Sequence, residues 1–185
     1  HVHNDCELAV ANSLAAVQAG AVQVQGTING IGERCGNANL CSIIPILELK
    51  MGMSCLPAGK LKLLTSTSSY VAEVANMKPF SRQAFVGHSA FAHKGGLHVS
   101  AMARNDTTYE AFTPETVGNS RRILISELAG RASILARYPK LKDKPEELQE
   151  VLNQVMRLEN AGYAFENEDA SFNLLVKKIL GQYEP

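Results

Sequence analysis

From residue 8 to residue 51 the chain passes through a fixed succession of hydrophobic patterns, and that succession most constrains its fold. Leu8, Ala11, Leu14, Ala15 and Val17 recur at helical spacing, with Asp5 placed to cap the helix and Gly20 to end it. Residues 21–25 alternate apolar and polar, as a strand does, and His1 to Asn4 reads as the tail of an earlier strand. Residues 26–32 form a glycine-rich loop, and residues 37–51 resume a helical apolar pattern interrupted by Pro45. Helix, strand, glycine-rich loop and helix is the rhythm of an α/β protein with a parallel sheet. Two strands cannot close a barrel, so a (β/α)8 arrangement would need most of its strands from outside this sequence.

The rest of the chain changes character. Residues 60–77 read as a helix with Leu61, Leu64, Val71 and Val74 on its apolar face. Residues 80–113 hold Gly87, Gly95, Gly96 and three histidines without a long period, as loop with short elements would. Thr113 and Pro114 have the form of a helix cap and first position, and a helix is expected from about Ser120 to Ala136, ending before Pro139. Lys140 to Lys144 reads as an exposed link, and helices are expected over 145–160 and 168–180. No internal repeat or low-complexity tract is present.

Composition narrows the function classes. Of 185 residues, 45% are apolar and 19% charged, which suits a globular chain, and the formal net charge of zero argues against a broad surface for nucleic acid or anionic lipid. No run of eighteen apolar residues offers a membrane span, and no basic, apolar and cleavable leader opens the chain, so a cytoplasmic location is expected. The start on His-Val-His without a methionine is what a fragment would show. Cys6, Cys35, Cys41 and Cys55 lack a Cys-x-x-Cys spacing and are expected to be free thiols rather than zinc ligands or disulfides.

Three stretches carry chemistry. In His1-Val2-His3 the histidines lie two apart, on one face of a strand, where two imidazoles can share a divalent metal; a pair of solvent-facing histidines has the same spacing. The loop Gly30 to Asn39 follows the second strand, where active-site loops sit in parallel α/β proteins, and Asn37 offers an oxygen ligand or a hydrogen bond to a carboxylate. Its glycines fit neither the dinucleotide fingerprint nor a Walker A loop, and taken alone the loop is better read as a tight turn before a helix. In Phe91 to His98, with Tyr109 further on, His98 and Tyr109 form a candidate acid/base pair, and Lys94 and Arg104 could serve phosphate groups.

Together these stretches resemble the α-isopropylmalate and homocitrate synthase family over nearly the whole chain. His1-Val2-His3-Asn4-Asp5 with Leu8 to Ser13 is similar to the family's metal-binding signature, and Gly26 to Gly30 with Gly32 to Asn37 to its next one. Phe91 to His98, Tyr109-Glu110, Pro114-Glu115 and Val117-Gly118 resemble its linker subdomains. The resemblance implies that residues 1–55 are the last strands and helices of a (β/α)8 TIM barrel and that residues 56–185 are mostly helical linker subdomains preceding a regulatory domain. It implies that His1 and His3 ligate a divalent metal ion (Mg, Mn or Zn) together with an Asp from outside this chain, and that Asn37 borders or joins that site. It places His98 and Tyr109 as the catalytic pair, reaching the active site of a partner subunit in a homodimer. Thr27, Glu33 and His93 are expected to bind substrate. The implied reaction is a Claisen condensation of acetyl-CoA with an α-keto acid.

Leu97-His98-Val99-Ser100-Ala101 departs from the His-Gln-Asp-Gly form of isopropylmalate synthases and, with Glu33 to Leu40, is similar to the citramalate synthase branch, which implies pyruvate as the keto acid. The departure removes an acidic residue after His98 and any acetyl-CoA contact it would make. Isopropylmalate and homocitrate synthases are the alternatives within the family. A hydroxymethylglutaryl-CoA lyase would share the His-x-His and the loop but lack the linker. A zinc amidohydrolase would carry further ligands on successive strands, whereas His88, His93 and His98 fall in one loop-like stretch. An inactive piece acting only in oligomerisation is the reading from a different class.

Overall fold

The computed structural model describes residues 1–93, 101, 105, 109–124, 131–163, 165 and 169–183. The chain divides into two compact units, the first made of 1–91 and 112–120 and the second of 92–111 and 121–185. The described part is mostly helical, with one small parallel sheet, and is of mixed α/β character. Among the described residues no helix is long and apolar enough to cross a membrane, and all four cysteines are free thiols.

The first unit begins with α1 (Ala9–Gln18). Asp5 does not cap it. Asn4 does, its Oδ1 accepting the Ala9 N–H at 3.2 Å, while Asp5 pairs with Arg34 at 2.8 Å. The reason is reach: Asn4 is held by its own N–H to Gly36 O, which aims its side chain at the helix start. At the other end Gly20, at φ +106°, closes the helix as expected. Its N–H bonds Val17 O at 3.0 Å and the Ala21 N–H bonds Ala16 O at 2.9 Å.

Residues 21–26 are not a strand. They have no ladder partner among the described residues, and Val22 is fully exposed. Alternation sets which side chains share a face, but a strand also needs a neighbour to accept its N–H groups. Ladder-type contact survives only at the single bridges Thr27–Asn39 and His3–Asn37. α2 (Leu40–Leu49) then starts at Asn39, whose Oδ1 accepts the Cys41 N–H at 2.9 Å. Pro45 does not interrupt it; the helix runs through the proline, which is buried. Ala9, Ala38 and Ile43 form a small core there with Val2, Val10, Leu14, Val24, Leu40 and Leu47 around it.

A 3-10 turn (Leu61–Leu63) leads into α3 (Leu64–Val74). Leu61 and Leu64 are buried as expected, but the inner face continues through Ser68 and Ala72, and Val74 is exposed. The 3-10 turn rotates the face relative to a continuous helix, because it takes fewer residues per turn. A second core joins Cys41, Leu61, Leu64, Val86, Phe91 and Val117. The Phe85 and Phe112 rings stack there at 5.2 Å, and Phe91 meets Phe112 edge-on at 5.9 Å. Pro114–Val117 is a 3-10 turn ended by Gly118 at φ +72°, and Asn119 Nδ2 donates to the carbonyls of Phe85 and Gly87.

The second unit opens with a two-stranded parallel sheet of β1 (Ala92–His93) and β2 (Arg122–Ile123). The helix expected from Ser120 is therefore absent at its start. Arg122 and Ile123 pair with Ala92 and His93, and Leu124 N–H donates to His93 O at 2.9 Å. Residues 125–130 lie outside the described residues, and α4 occupies Arg131–Arg137. The Lys140–Lys144 link is a 3-10 turn (Pro139–Asp143) whose Leu141 is buried among the helices. α5 (Pro145–Asn160) and α6 (Asp169–Ile179) fall where the sequence places them. Leu148, Val151 and Val155 of α5 meet Phe172 and Val176 of α6, with Ile134, Leu141 and Phe165 completing the core.

Candidate active site

The chain's first residues lie against the glycine-rich loop. Asn4 N–H donates to Gly36 O at 2.9 Å, Ala38 N–H donates to Val2 O at 3.2 Å, and His3 bridges Asn37 in antiparallel fashion. Alternation puts His1 and His3 on one face, and their rings meet edge to face with centroids 5.2 Å apart. Both imidazoles are exposed.

The loop is built to hold Asn37. Its N–H donates to Gly30 O at 3.0 Å, and its Nδ2 donates to Ile31 O at 3.2 Å. A side chain on Gly36, at φ +91°, would put Cβ 2.2 Å from Gly30 O, and one on Gly32 would put Cβ 2.4 Å from Asn37 Nδ2. The loop closes this tightly because both positions lack a Cβ. With Nδ2 committed to Ile31, the Asn37 carboxamide presents its Oδ1, which is buried and has no hydrogen-bond partner among the described residues. An orphaned buried carbonyl oxygen costs free energy unless something occupies it. Two imidazole nitrogens and one carboxamide oxygen form a donor set suited to a borderline or hard divalent cation. Among the described residues no third histidine, cysteine or carboxylate gathers with them.

Thr27 and Glu33 belong to the same loop. Thr27 Oγ1 donates to Ile31 O at 2.6 Å, and Thr27 N–H donates to Ala38 O at 3.0 Å. Glu33 is exposed, and its carbonyl accepts the Gly36 N–H. Arg34, at φ +55°, turns its guanidinium to Asp5.

His93 and Tyr109 lie in the second unit. His98, Lys94 and Arg104 lie outside the described residues. Tyr109 is 45% exposed, while the next side chain, Glu110, is only 4% exposed. His93 Nε2 sits 3.0 Å from Glu110 Oε1, and Arg121 reaches the same carboxylate through Nε at 3.0 Å and Nη2 at 2.5 Å. Burial raises the Glu110 pKa, but the hydrogen bonds and charges of Arg121 and His93 outweigh it and hold the carboxyl below its ordinary range. No sequence spacing points to this triad: Glu110 enters the sequence reading only within the Tyr109-Glu110 motif, and Arg121 within an expected helix. A second unforeseen centre is Asn29, at φ +63°. Its Oδ1 accepts from Ser68 Oγ at 2.5 Å and Gln83 Nε2 at 3.2 Å, and its Nδ2 donates to Ser68 O at 2.8 Å.

Comparison with known proteins decides the kinship. Residues 1–71 match the HMGL-like family model, and residues 85–162 match the homocitrate synthase post-HMGL domain-like model. The (R)-citramalate synthase of Geobacter sulfurreducens is 54% identical over 187 residues, covering 99% of this chain and 35% of its own length. The chain belongs to the α-isopropylmalate and homocitrate synthase family. Its likeness to citramalate synthases runs through distant sources, with the Aquifex aeolicus protein 51% identical over 98% of the chain. The 2-isopropylmalate synthase of Sulfolobus acidocaldarius is 40% identical over 97% of the chain. The chain spans about a third of the length of the citramalate synthases it matches.

Proposed function

We propose that the protein containing this chain is an acyltransferase that condenses acetyl-CoA with pyruvate to give citramalate, in the branch of metabolism leading to isoleucine. What supports this is that the His1 and His3 rings meet, that His3 bridges Asn37 along the backbone, and that Asn37 Oδ1 has no partner among the described residues, in a chain 54% identical to an (R)-citramalate synthase. Residues 1–55 are assigned to the closing end of a (β/α)8 barrel and residues 56–185 to the appended linker. The protein works as a cytoplasmic homodimer with a shared active site.

His1 and His3 would offer imidazole nitrogens, and Asn37 a carboxamide oxygen, to a divalent ion of the Mg, Mn or Zn class. When bound, that ion supplies Lewis acidity to the keto carbonyl. The chain's own residues do the rest. Ile31 O holds the Asn37 Nδ2, so the oxygen end is the one left to bind. Thr27 and Glu33, on the same loop, border the keto acid. His98 and Tyr109 are assigned the proton transfers: one accepts a proton from the acetyl methyl carbon, and the resulting enolate carbon attacks the keto carbon. The alkoxide oxygen is protonated, and water then cleaves the thioester to release the CoA thiol.

The test is thiol release from acetyl-CoA by the full-length protein with Mg²⁺ or Mn²⁺, against pyruvate, 2-ketoisovalerate and 2-ketoglutarate in parallel. Preference for pyruvate, abolished in His98→Ala, is expected. Preference for another keto acid would move the assignment to isopropylmalate or homocitrate synthase. No release with any of them would overturn the proposal.

A further inference from the structure

We propose that Glu110, clamped between His93 and Arg121, is a positioning residue for Tyr109; this rests on the assignment of Tyr109 to proton transfer. His93 and Glu110 are seventeen positions apart, yet their side chains meet at 3.0 Å. Each end of this contact is fixed a second time. His93 sits in β1, paired with Ile123, and its carbonyl accepts the Leu124 N–H. Glu110 takes two hydrogen bonds from Arg121, one residue before β2.

The arrangement is costly unless it has a task. A carboxylate only 4% exposed gives up most of its hydration, and three donors replace it. A buried pair of this kind adds little stability compared with apolar packing, but it fixes geometry, because Arg121 meets the carboxylate from two of its nitrogens and His93 from one. Glu110 turns inward and Tyr109 outward at adjacent positions, so fixing the Glu110 side chain fixes where the Tyr109 phenol leaves the backbone. On this reading His93 acts through Glu110 and does not itself touch substrate. Proton transfer tolerates little misplacement, and a shift of about 1 Å can cost about 10²-fold in rate.

The experiment uses the full-length protein with Glu110→Gln, Arg121→Lys and Arg121→Ala. Glu110→Gln keeps the shape but removes the charge and turns an N–H2 toward Arg121 or His93. Its kcat is expected to fall by about 10²-fold, with KM for the keto acid and metal affinity held within about twofold. Arg121→Lys should keep more of the rate than Arg121→Ala. In both Glu110→Gln and Arg121→Ala, exchange of the Leu124 amide, which donates to His93 O, should quicken while that over 145–160 is unchanged. A folded Glu110→Gln with wild-type kcat and wild-type exchange would overturn the clamp. So would a loss seen wholly in KM or in metal affinity, because that would make the residue a binding group. If Glu110→Gln fails to fold, the two Arg121 variants decide by the same readouts. If the wild-type protein releases no thiol with any keto acid, the functional proposal falls alone, and amide exchange still decides the clamp.

Discussion

Gly32 gives the sharpest test of the proposed metal site, because the atoms a methyl group there would strike first belong to Asn37. A Cβ on Gly32 would lie 2.4 Å from Asn37 Nδ2, 2.8 Å from its Cγ and 3.1 Å from its backbone nitrogen. Ordinary contact between such atoms needs about 3.5 Å, so the carboxamide must retreat by about 1 Å. Gly32 is outside the left-handed region, so alanine is not strained by its backbone. The retreat stretches the bond from Nδ2 to Ile31 O, already 3.2 Å, and its loss costs about 1–2 kcal/mol of stability. It also moves Oδ1 well beyond the few tenths of an ångström that a metal ligand tolerates, and disturbing such a support costs about 10–100-fold in metal affinity. That is about 1.4–2.7 kcal/mol of binding. Gly52→Ala is the control: at φ +66° it is strained by its backbone, but its Cβ meets nothing within 4 Å, so it should lose stability without losing metal. Calorimetric titration of the full-length protein with Mn²⁺, beside thermal melts, reads both quantities. Gly32→Ala binding Mn²⁺ as tightly as wild type, or Gly52→Ala losing as much affinity as Gly32→Ala, would refute the assignment of Asn37.

Two further outcomes follow from the same structure. Gly118→Ala forces a left-handed residue and drives Cβ to 2.0 Å from Lys62 O, so it should cost about 3 kcal/mol or more in urea unfolding; a loss under about 1 kcal/mol would show that the turn can relax. Because the folded-state pKa of Glu110 is lowered, its contribution to stability is complete above the ordinary carboxylate pKa and is lost as pH falls through the lowered value. The melting difference between wild type and Glu110→Gln should therefore shrink as pH falls below about 4; a difference that persists unchanged into acid would place the effect elsewhere.

What the sequence disclosed depended on the range of the forces involved. α5 and α6 were legible because Leu148, Val151 and Val155, or Phe172 and Val176, repeat at helical spacing, and Pro145 marks a start. The strand expected over 21–25 failed because alternation is a local pattern and hydrogen-bonded pairing is not. The helix expected from Ser120 failed the same way: Arg122 and Ile123 find strand partners in Ala92 and His93, and no window around residue 120 contains that information. At the proposed metal site, the shared face of His1 and His3 was legible from their spacing. The state of Asn37 was not, because it depends on Ile31 taking Nδ2 and on Gly32 making room.

The same distinction explains why Glu110 receives no role from the sequence although it stands in one motif with Tyr109. A side chain that acts on a ligand has a chemistry its residue type announces, such as an imidazole or a phenol. A side chain that acts on another side chain is defined only by its partners, and Glu110's partners lie seventeen positions before it and eleven after it. One of them, His93, has a chemistry that suggests substrate, and the fold places its Nε2 3.0 Å from Glu110 Oε1. Burial then separates the two kinds. Tyr109 is half exposed, as the proposed role requires, whereas Glu110 beside it is buried with each carboxylate oxygen engaged. A site of this type is therefore carried by polar residues that lie inside it as much as by those at its surface, and the inner ones become visible only when the chain is folded.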